Sequence, residues 1–133
     1  GLRVGFAVAD EGLIAVMERV RESFNVNALG LVAAEAALAD VDHLQASIAG
    51  NGAQRAALAD ALRARGMKVA PSQTNFLLVE FGDHSSRIEA RLVGRGVILR
   101  PMGGYGLGEC LRITVGTEAE NQRLLAALDE VMK

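Results

Sequence analysis

The chain has 133 residues and a formal net charge of −2 at pH 7, and half of its residues are hydrophobic. This length suffices for a sizeable core, and the apolar fraction excludes an intrinsically disordered protein. The near-neutral charge argues against a nucleic-acid-binding protein, while the single cysteine excludes a disulfide framework and a multi-cysteine zinc site. The sequence contains no uninterrupted run of about 18 apolar residues, so no membrane-spanning helix is predicted. We expect a cytoplasmic domain.

The first third of the chain predicts one strand and two helices. Residues 4–9 are apolar enough for a short buried strand, after which Asp10 is predicted to cap a first helix. Asn27 is predicted to cap a second helix over residues 28–39, which is rich in alanine and leucine. The sequence has no initiating methionine and enters the predicted strand almost at once, so we expect a piece cut from a longer chain.

The remaining residues, 40–133, predict an α+β unit. A long helix is expected from Asp40 to a left-handed cap at Gly66, and Gly50-Asn51-Gly52 either weakens this helix or forms a turn within it. Strands are predicted at 75–81, 97–100 and 110–115, and a glycine-rich loop at 102–109. Asp83 is predicted to cap a short helix, and a capping box at Thr117 and Glu120 is predicted to begin the last one. The fold class is therefore α+β, with a three-stranded sheet covered by helices.

Arg112 is the most informative single residue. Period-2 alternation in the last strand puts it on the face opposite the apolar residues, together with Cys110 and Thr114. A buried arginine without a partner is costly. Arg112 therefore either pairs with Glu80 or Glu109, faces solvent, or binds a carboxylate or phosphate through two parallel hydrogen bonds.

Arg100 ends the neighbouring strand, beside the same glycine-rich loop. Two arginines from adjacent strands that face one loop form a candidate anion pocket, with an ordinary surface arginine as the alternative interpretation. Gly104-Tyr105-Gly106 is not a phosphate-binding loop of the Walker or dinucleotide type, because the order strand, glycines, helix is missing.

Four other polar residues attract attention and predict little chemistry. His43 and His84 lie at predicted helix starts without acidic or cysteine neighbours at metal-ligand spacing, so no metal site is predicted. Cys110 is expected to be a thiol of the strand core and not an activated nucleophile. Asn75 opens an apolar strand face and is expected to be buried, with its amide bonded to backbone or to a ligand. The residues by themselves indicate no catalytic nucleophile and no general base.

Five segments occur in an order that resembles one enzyme family. They are Gly1-Leu2-Arg3-Val4-Gly5-Phe6, Ser23-Phe24-Asn25-Val26-Asn27, Pro71-Ser72-Gln73-Thr74-Asn75-Phe76, Val97-Ile98-Leu99-Arg100-Pro101 and Leu111-Arg112-Ile113-Thr114-Val115-Gly116-Thr117. Together they resemble the C-terminal portion of the histidinol-phosphate aminotransferases, which are fold-type I enzymes that use pyridoxal phosphate. The resemblance covers essentially the whole chain, and the ordered set is more specific than any one segment.

The resemblance implies three anion-binding residues. Arg3 resembles the arginine that binds the cofactor phosphate. Arg112 resembles the arginine that binds the carboxylate of the amino-acid substrate, and Arg100 resembles an arginine that helps to hold the anionic end of the phosphorylated substrate. Asn25 and Asn75 match family positions to which no contact is assigned.

The resemblance also implies what this sequence lacks. The family's Schiff-base lysine, the aspartate that pairs with the cofactor and the aromatic ring that stacks on it would all precede Gly1, so the chain is expected to bind no cofactor covalently and to be inactive alone. Residues 1–39 are expected to be a remnant of the large domain with an interdomain helix, and residues 40–133 the small C-terminal domain. The parent is expected to be a homodimer that acts on histidinol phosphate and 2-oxoglutarate in histidine biosynthesis.

Three alternatives stay open. The first is that the parent is another pyridoxal-phosphate aminotransferase or a decarboxylase, since Arg112 indicates an α-carboxylate but does not specify the rest of the substrate. A second alternative is a stand-alone α+β module that binds an amino acid without chemistry. The third is an assembly domain, because the alanine-rich helix at 28–39 would need a partner surface.

Overall fold

The computed structural model describes residues 2–133. The chain divides into two compact units, Gly1–Ala46 and Ser47–Lys133, and the division falls within the third helix. The expected boundary between residues 39 and 40 concerns the domains of a parent enzyme and stays a prediction.

The first unit contains two helices, both begun by the side chains that the sequence indicated. Helix α1 spans Glu11–Val20, and the Asp10 carboxylate accepts a hydrogen bond from a first-turn amide at 2.9 Å. Helix α2 spans Ala28–Ala39, and the Asn27 side chain accepts one from the Gly30 amide at 2.7 Å. Each cap satisfies an amide that has no partner within its helix, which is why the helices begin at these residues.

The strand predicted at residues 4–9 is wrong. A strand needs a neighbour to complete its ladder of hydrogen bonds, and no other segment that the structure describes pairs with this one. Val4 instead lies against α2, where a Cβ on the buried Gly30 would come within 2.9 Å of the valine side chain. Phe6 and Val8 are 81% and 89% exposed. The segment therefore has the apolar side chains of a buried strand without a sheet to bury them.

A single long helix, α3, spans Val41–Ala64. Asp40 caps it by accepting a hydrogen bond from a first-turn amide at 3.0 Å. Gly50 and Gly52 lie inside the helix, so the glycines weaken a continuous helix and do not form a turn. The chain leaves the helix at Gly66, whose φ of 81° lies in the left-handed region that favours glycine, as predicted.

The sheet is antiparallel and has four strands in the order β1-β2-β4-β3, one strand more than predicted. The strands are β1 (Lys68–Val69), β2 (Phe76–Glu80), β3 (Arg100–Pro101) and β4 (Cys110–Thr114). A two-residue strand such as β1 has too little alternation for a sequence pattern to indicate. The strand predicted at 97–100 is wrong except at Arg100, because the chain is still leaving α4 there and the Val97 amide donates to the Leu92 carbonyl. The edge position of β3 explains why it tolerates Pro101, because one side of an edge strand needs no hydrogen-bond donor.

Helix α4 spans Ser85–Val93 and follows a short 3-10 turn at Gly82–His84. The prediction that Asp83 caps this helix is wrong. Asp83 lies within the 3-10 turn, and no side chain caps the start of α4. The turn itself supplies the first carbonyl groups to the helix, since the Ser85 amide donates to the Gly82 carbonyl.

Helix α5 spans Glu118–Val131, and the predicted capping box at its start is confirmed. The Thr117 side chain accepts from the Glu120 amide while the Glu120 carboxylate accepts from the Thr117 amide. The core lies between one face of the sheet and helices α3, α4 and α5. Its largest fully buried side chains are Leu58, Leu62, Leu77, Val79, Leu92, Leu111, Ile113, Leu128 and Val131. The α+β class is confirmed.

Candidate anion-binding site

One face of the sheet carries the polar side chains. In β4, Leu111 and Ile113 are each 1% exposed, whereas Cys110 and Arg112 are half-buried and Thr114 is exposed. Successive side chains of a strand point to opposite faces, so the three polar residues lie on the face that the core does not occupy. The prediction that Cys110, Arg112 and Thr114 share the face opposite the apolar side chains is confirmed.

Arg100 and Arg112 lie directly opposite each other where β3 pairs with β4. Side chains in such positions share one face at a Cβ separation of about 4.5–5.5 Å, and two like charges placed there repel each other. Neither arginine forms an ion pair with another described residue. An anion bound between the two guanidinium groups would offset their repulsion. The strand pairing therefore brings together two of the three arginines that the sequence singled out.

Arg112 has no carboxylate partner in the part of the chain that the structure describes. Its Nε atom is buried and lacks a hydrogen-bond partner there. The alternative of an ion pair with Glu80 or Glu109 is not realised, because Glu80 accepts a hydrogen bond from Lys68 Nζ at 2.7 Å instead. A buried donor without a partner costs about 1–3 kcal/mol, and more when it is charged. The guanidinium of Arg112 thus has a hydrogen-bond donor available for a ligand.

Phe76 is a member of the site that the sequence reasoning missed. The guanidinium carbon of Arg112 lies 5.1 Å from the centre of the Phe76 ring. Phe76 pairs with Thr114, two residues along β4 from Arg112, so the ring and the guanidinium are diagonal neighbours on one face. A cation over an aromatic face is attracted by the quadrupole of the ring. Counting the strand pairs would have indicated this contact, but the pairs become known only with the structure.

The glycine-rich loop beside the arginines is a hydrogen-bonded turn. The hydroxyl of the buried Ser85 donates to the Gly108 carbonyl at 2.7 Å, and the Cys110 amide donates to the Leu107 carbonyl at 3.0 Å. Gly106 has a φ of 76°, which favours glycine. Ser85 therefore anchors the connection between β3 and β4 to helix α4, a role that no sequence pattern indicated.

Two ionisable groups of this sheet face are unsuited to covalent chemistry. Burial, with smaller contributions from Glu80 and Glu109, raises the pKa of the Cys110 thiol, so the reactive thiolate is disfavoured. The hydrogen bond to Glu80 raises the pKa of the Lys68 ammonium. A lysine that attacks a carbonyl group needs a lowered pKa instead. The raised thiol pKa agrees with the prediction that Cys110 is not an activated nucleophile. The expectation that this thiol lies in the strand core is wrong, because Cys110 is half-buried on the face opposite the core.

Arg3 lies in the first unit. It lines a groove of about 600 Å³ along α2, whose other lining residues are apolar or glycine. Its φ of 59° is left-handed, a conformation that costs a residue with a Cβ about 1–2 kcal/mol. Strained backbone of this kind collects at functional sites. The Arg3 side chain is exposed and forms no ion pair with another described residue.

The remaining candidates lie outside the arginine pair. Asn75 is exposed, in contrast to the prediction, because β2 begins only at the next residue. His43 lies in α3, and His84 lies in the turn before α4. Within residues 2–133, no group of three or more histidine, cysteine or acidic side chains is arranged to hold a metal ion. None of the helices described is long and apolar enough to cross a membrane.

Comparisons with known proteins agree on one family. The sequence profile of the family described as aminotransferase class I and II matches residues 1–128. Histidinol-phosphate aminotransferase 1 of Nitrosococcus oceani is 45% identical over 133 residues, which are 100% of this chain and 36% of that protein. The crystal structure of histidinol-phosphate aminotransferase from Sinorhizobium meliloti, in complex with pyridoxal-5'-phosphate, is similar with a TM-score of 0.78 and 33% identity. That match covers 91% of this chain and 34% of the other.

A more distant similarity shows the fold alone. The L-threonine-O-3-phosphate decarboxylase from Porphyromonas gingivalis has a TM-score of 0.69 at 22% identity, over 94% of this chain and 40% of that chain. The 133 residues span only about a third of the length of the relatives that they match.

Proposed function

Because this chain belongs to the aminotransferase class I and II family, we propose that it forms the anion-binding C-terminal part of an enzyme that transfers the amino group of histidinol phosphate to 2-oxoglutarate in histidine biosynthesis. The names of the relatives support this choice of substrate. The observation that carries the proposal is the directly opposed pair of Arg100 and Arg112, together with the buried Nε that lacks a partner.

The arginine pair suits the anionic groups of both substrates. The planar guanidinium of Arg112 presents parallel donors that match two oxygens of a carboxylate or a phosphate. Arg100 adds a second positive charge, and the pair then matches the charge of about −1.5 to −2 that a phosphate monoester carries at pH 7. Phe76 restricts the guanidinium through its ring. These residues bind and orient a substrate, and none of them transfers a proton.

Pyridoxal phosphate, when bound, supplies the electron sink that amino transfer needs. Arg3 fits the phosphate of this cofactor, because its side chain is exposed and lacks an ion pair among the described residues. Its backbone is also held in the strained left-handed conformation. Lys68 does not fit covalent attachment, since it is bonded to Glu80 and its pKa is raised. We therefore propose that Arg3 holds the cofactor phosphate, and that the chain alone binds anions without transamination.

The anion site is tested by titrating the 133-residue chain with glutamate and with histidinol phosphate, while NMR follows the arginine Nε–Hε signals. Arg112→Lys loses the two-pronged donor set but keeps the charge. Hydrogen bonds to charged groups contribute about 1.5–3 kcal/mol, so the Kd should rise about 10-fold to 150-fold. Arg87→Lys, at an exposed position in α4, is the matched control and should bind as the wild type does. Unchanged binding by Arg112→Lys would contradict the proposal.

The second claim, that the chain alone is inactive, has its own test. The chain is mixed with pyridoxal phosphate, reduced with borohydride and mapped by peptide mass spectrometry. Stoichiometric labelling is expected at neither Lys68 nor Lys133, and no amino transfer from glutamate is expected. Stoichiometric labelling of one of these lysines, accompanied by amino transfer, would overturn this part of the proposal.

A homodimeric, cytoplasmic parent is also part of the proposal. Four large apolar side chains of α2 are more than half exposed, namely Leu29, Leu31, Val32 and Leu38. An apolar surface of this kind marks an interaction site. Sedimentation velocity of the chain at micromolar concentration should therefore show self-association, and a stable monomer would count against the dimer.

The alternative of a stand-alone amino-acid-binding module is favoured by one observation. Arg100, Arg112 and Phe76 all belong to the second unit, so the anion site needs no residue of the first. Calorimetry separates the two functions. A monomer that binds glutamate with a Kd of about 1 μM, or −8.2 kcal/mol, would be a sensor, whereas an enzyme fragment should bind far more weakly.

A further inference from the structure

We propose that Lys68 is a positioning residue: it holds the Glu80 carboxylate away from Arg112 and so keeps the arginine available to its anion. The proposal rests on the proposed anion site and deepens it. Lys68 itself touches no ligand. Its effect is exerted through an acidic side chain that would otherwise compete with the ligand.

The strand pairing places Glu80 within reach of Arg112. Glu80 lies opposite Lys68 across β1 and β2, and opposite Cys110 across β2 and β4. Arg112 is two residues beyond Cys110 on the same face. Diagonal neighbours of this kind are about 7–8 Å apart, a distance that long side chains span. Glu80 is thus the acidic residue of β2 that shares a face with Arg112.

The charge of Glu80 is already felt on β4. After burial, the largest electrostatic contribution to the raised pKa of the Cys110 thiol comes from Glu80. Arg112 meanwhile keeps a buried Nε without a partner among the described residues. Two groups of opposite charge, Glu80 and Arg112, therefore lie on one sheet face without pairing with each other.

Lys68 explains why Glu80 and Arg112 do not pair. Its Nζ lies 2.7 Å from a Glu80 carboxylate oxygen, directly across the strand pair. The lysine side chain is 79% exposed, and exposed ion pairs contribute little to stability. The contact draws the Glu80 carboxylate toward β1, whereas Arg112 lies on β4, on the other side of β2. The order β1-β2-β4-β3 makes this possible, since Lys68 and Arg112 flank Glu80 from different strands.

Loss of Lys68 would release a competitor. A carboxylate fixed at the diagonal position of the neighbouring strand has an effective concentration in the millimolar range or above. It would occupy the guanidinium against a ligand that binds with millimolar affinity. We expect Lys68→Met to raise the Kd for inorganic phosphate about threefold to tenfold. Lys68→Arg should keep the affinity of the wild type, because an arginine also holds Glu80.

A ligand-free experiment tests the positioning directly. The Nε–Hε signal of Arg112 is compared in the wild-type chain, in Lys68→Met and in Lys68→Met/Glu80→Gln. The signal should shift in the single variant, as the Nε–H gains an acceptor, and should return in the double variant. Lys133→Met removes a positive charge elsewhere and should not shift the Arg112 signal. Lys68→Met/Glu109→Gln removes the neighbouring carboxylate in place of Glu80 and should not restore the signal. An Arg112 signal that Lys68→Met leaves unmoved would overturn the proposal.

Titration with inorganic phosphate separates competition from long-range charge. If Lys68 acted only through its charge, Lys68→Met would weaken binding and Glu80→Gln alone would tighten it by a similar factor. Under the proposal, Glu80→Gln alone changes the Kd by less than about twofold, because Lys68 already holds the carboxylate, while it fully rescues Lys68→Met. Equal and opposite single effects would refute the positioning role.

The same titration distinguishes the failure of this inference from the failure of the proposed function. If Arg112→Lys binds phosphate as the wild type does, the proposed anion site fails, and the ligand-free spectra still decide whether Lys68 separates Glu80 from Arg112. If Arg112→Lys loses phosphate and Lys68→Met does not, the inference about Lys68 alone is overturned.

Discussion

Replacement of Phe76 by leucine isolates the contribution of the ring to the arginine site. Phe76 is half-buried, and its ring centre lies 5.1 Å from the guanidinium carbon of Arg112. Leucine keeps an apolar side chain in β2 but has no quadrupole to attract the cation. The change therefore removes the force that orients Arg112 while leaving the strand pairing in place.

The geometry gives the size of the expected effect. A cation over an aromatic ring contributes about 0.5–1 kcal/mol at exposed sites and about 2 kcal/mol when desolvated. The Phe76 contact lies between these limits, because Arg112 is half-buried and its Nε is fully covered. A loss of about 1 kcal/mol in the preorganisation of Arg112 corresponds to a Kd for phosphate raised about fivefold.

The assay is a phosphate titration followed by NMR, together with urea unfolding. Phe76→Tyr keeps the ring and should retain the affinity of the wild type. Phe81→Leu is the matched control, since Phe81 follows the same strand but packs against the hydrophobic core. It should lower the free energy of unfolding without weakening phosphate binding. Equal phosphate affinity in Phe76→Leu and the wild type would refute the positioning role of the ring.

Three further predictions concern the same unit. Arg100→Gln should weaken phosphate binding, yet raise the free energy of unfolding by about 0.2–1 kcal/mol at low salt, as measured in urea, because it removes a like charge opposite Arg112. Ser85→Ala should cost about 1–3 kcal/mol in the same assay, since it leaves the Gly108 carbonyl without its donor. Thr117→Ala should cost about 1 kcal/mol through the lost cap. Hydrogen bonds from the Thr117 amide and hydroxyl lower the pKa of the Glu120 carboxyl, so the wild type should lose stability as the pH falls below about 4.3. Thr117→Ala removes the hydroxyl but keeps the larger contribution of the backbone amide, so it should flatten that dependence only in part in acid titrations.

Local patterns in the sequence predicted the starts of four α-helices correctly, for a physical reason, whereas the cap predicted at Asp83 for α4 was wrong. Asp10, Asn27 and Thr117 act on amides two or three residues away, so the evidence for each cap lies within one turn of chain. The alternation of β4 is local in the same sense. Arg112 could therefore be placed on the polar face from the sequence alone.

Strand pairing is not local, and the errors in the predicted strands follow from this. Residues 4–9 have a strand composition without a neighbouring strand, while the two residues of β1 have a partner in β2 but almost no pattern. The opposition of Arg100 and Arg112 depends on the register between β3 and β4. A shift of one residue would have moved one side chain to the other face. Contacts that depend on register, including that of Phe76, require the structure.

The two faces of β4 show how the second unit supports an unfavourable pair of charges. Leu111 and Ile113 are fully buried on one face, and burial of such side chains stabilises a fold by about 1.5–3 kcal/mol each. On the other face, Arg112 lies opposite Arg100, a placement that lowers stability as long as no anion is bound. Because the residues alternate along one strand, the core that stabilises the sheet also fixes the backbone of the arginine. The cost in stability is thus coupled to a precise position for the guanidinium, and a ligand that neutralises the pair should stabilise the unit by an amount that grows with the logarithm of the ligand concentration divided by its Kd.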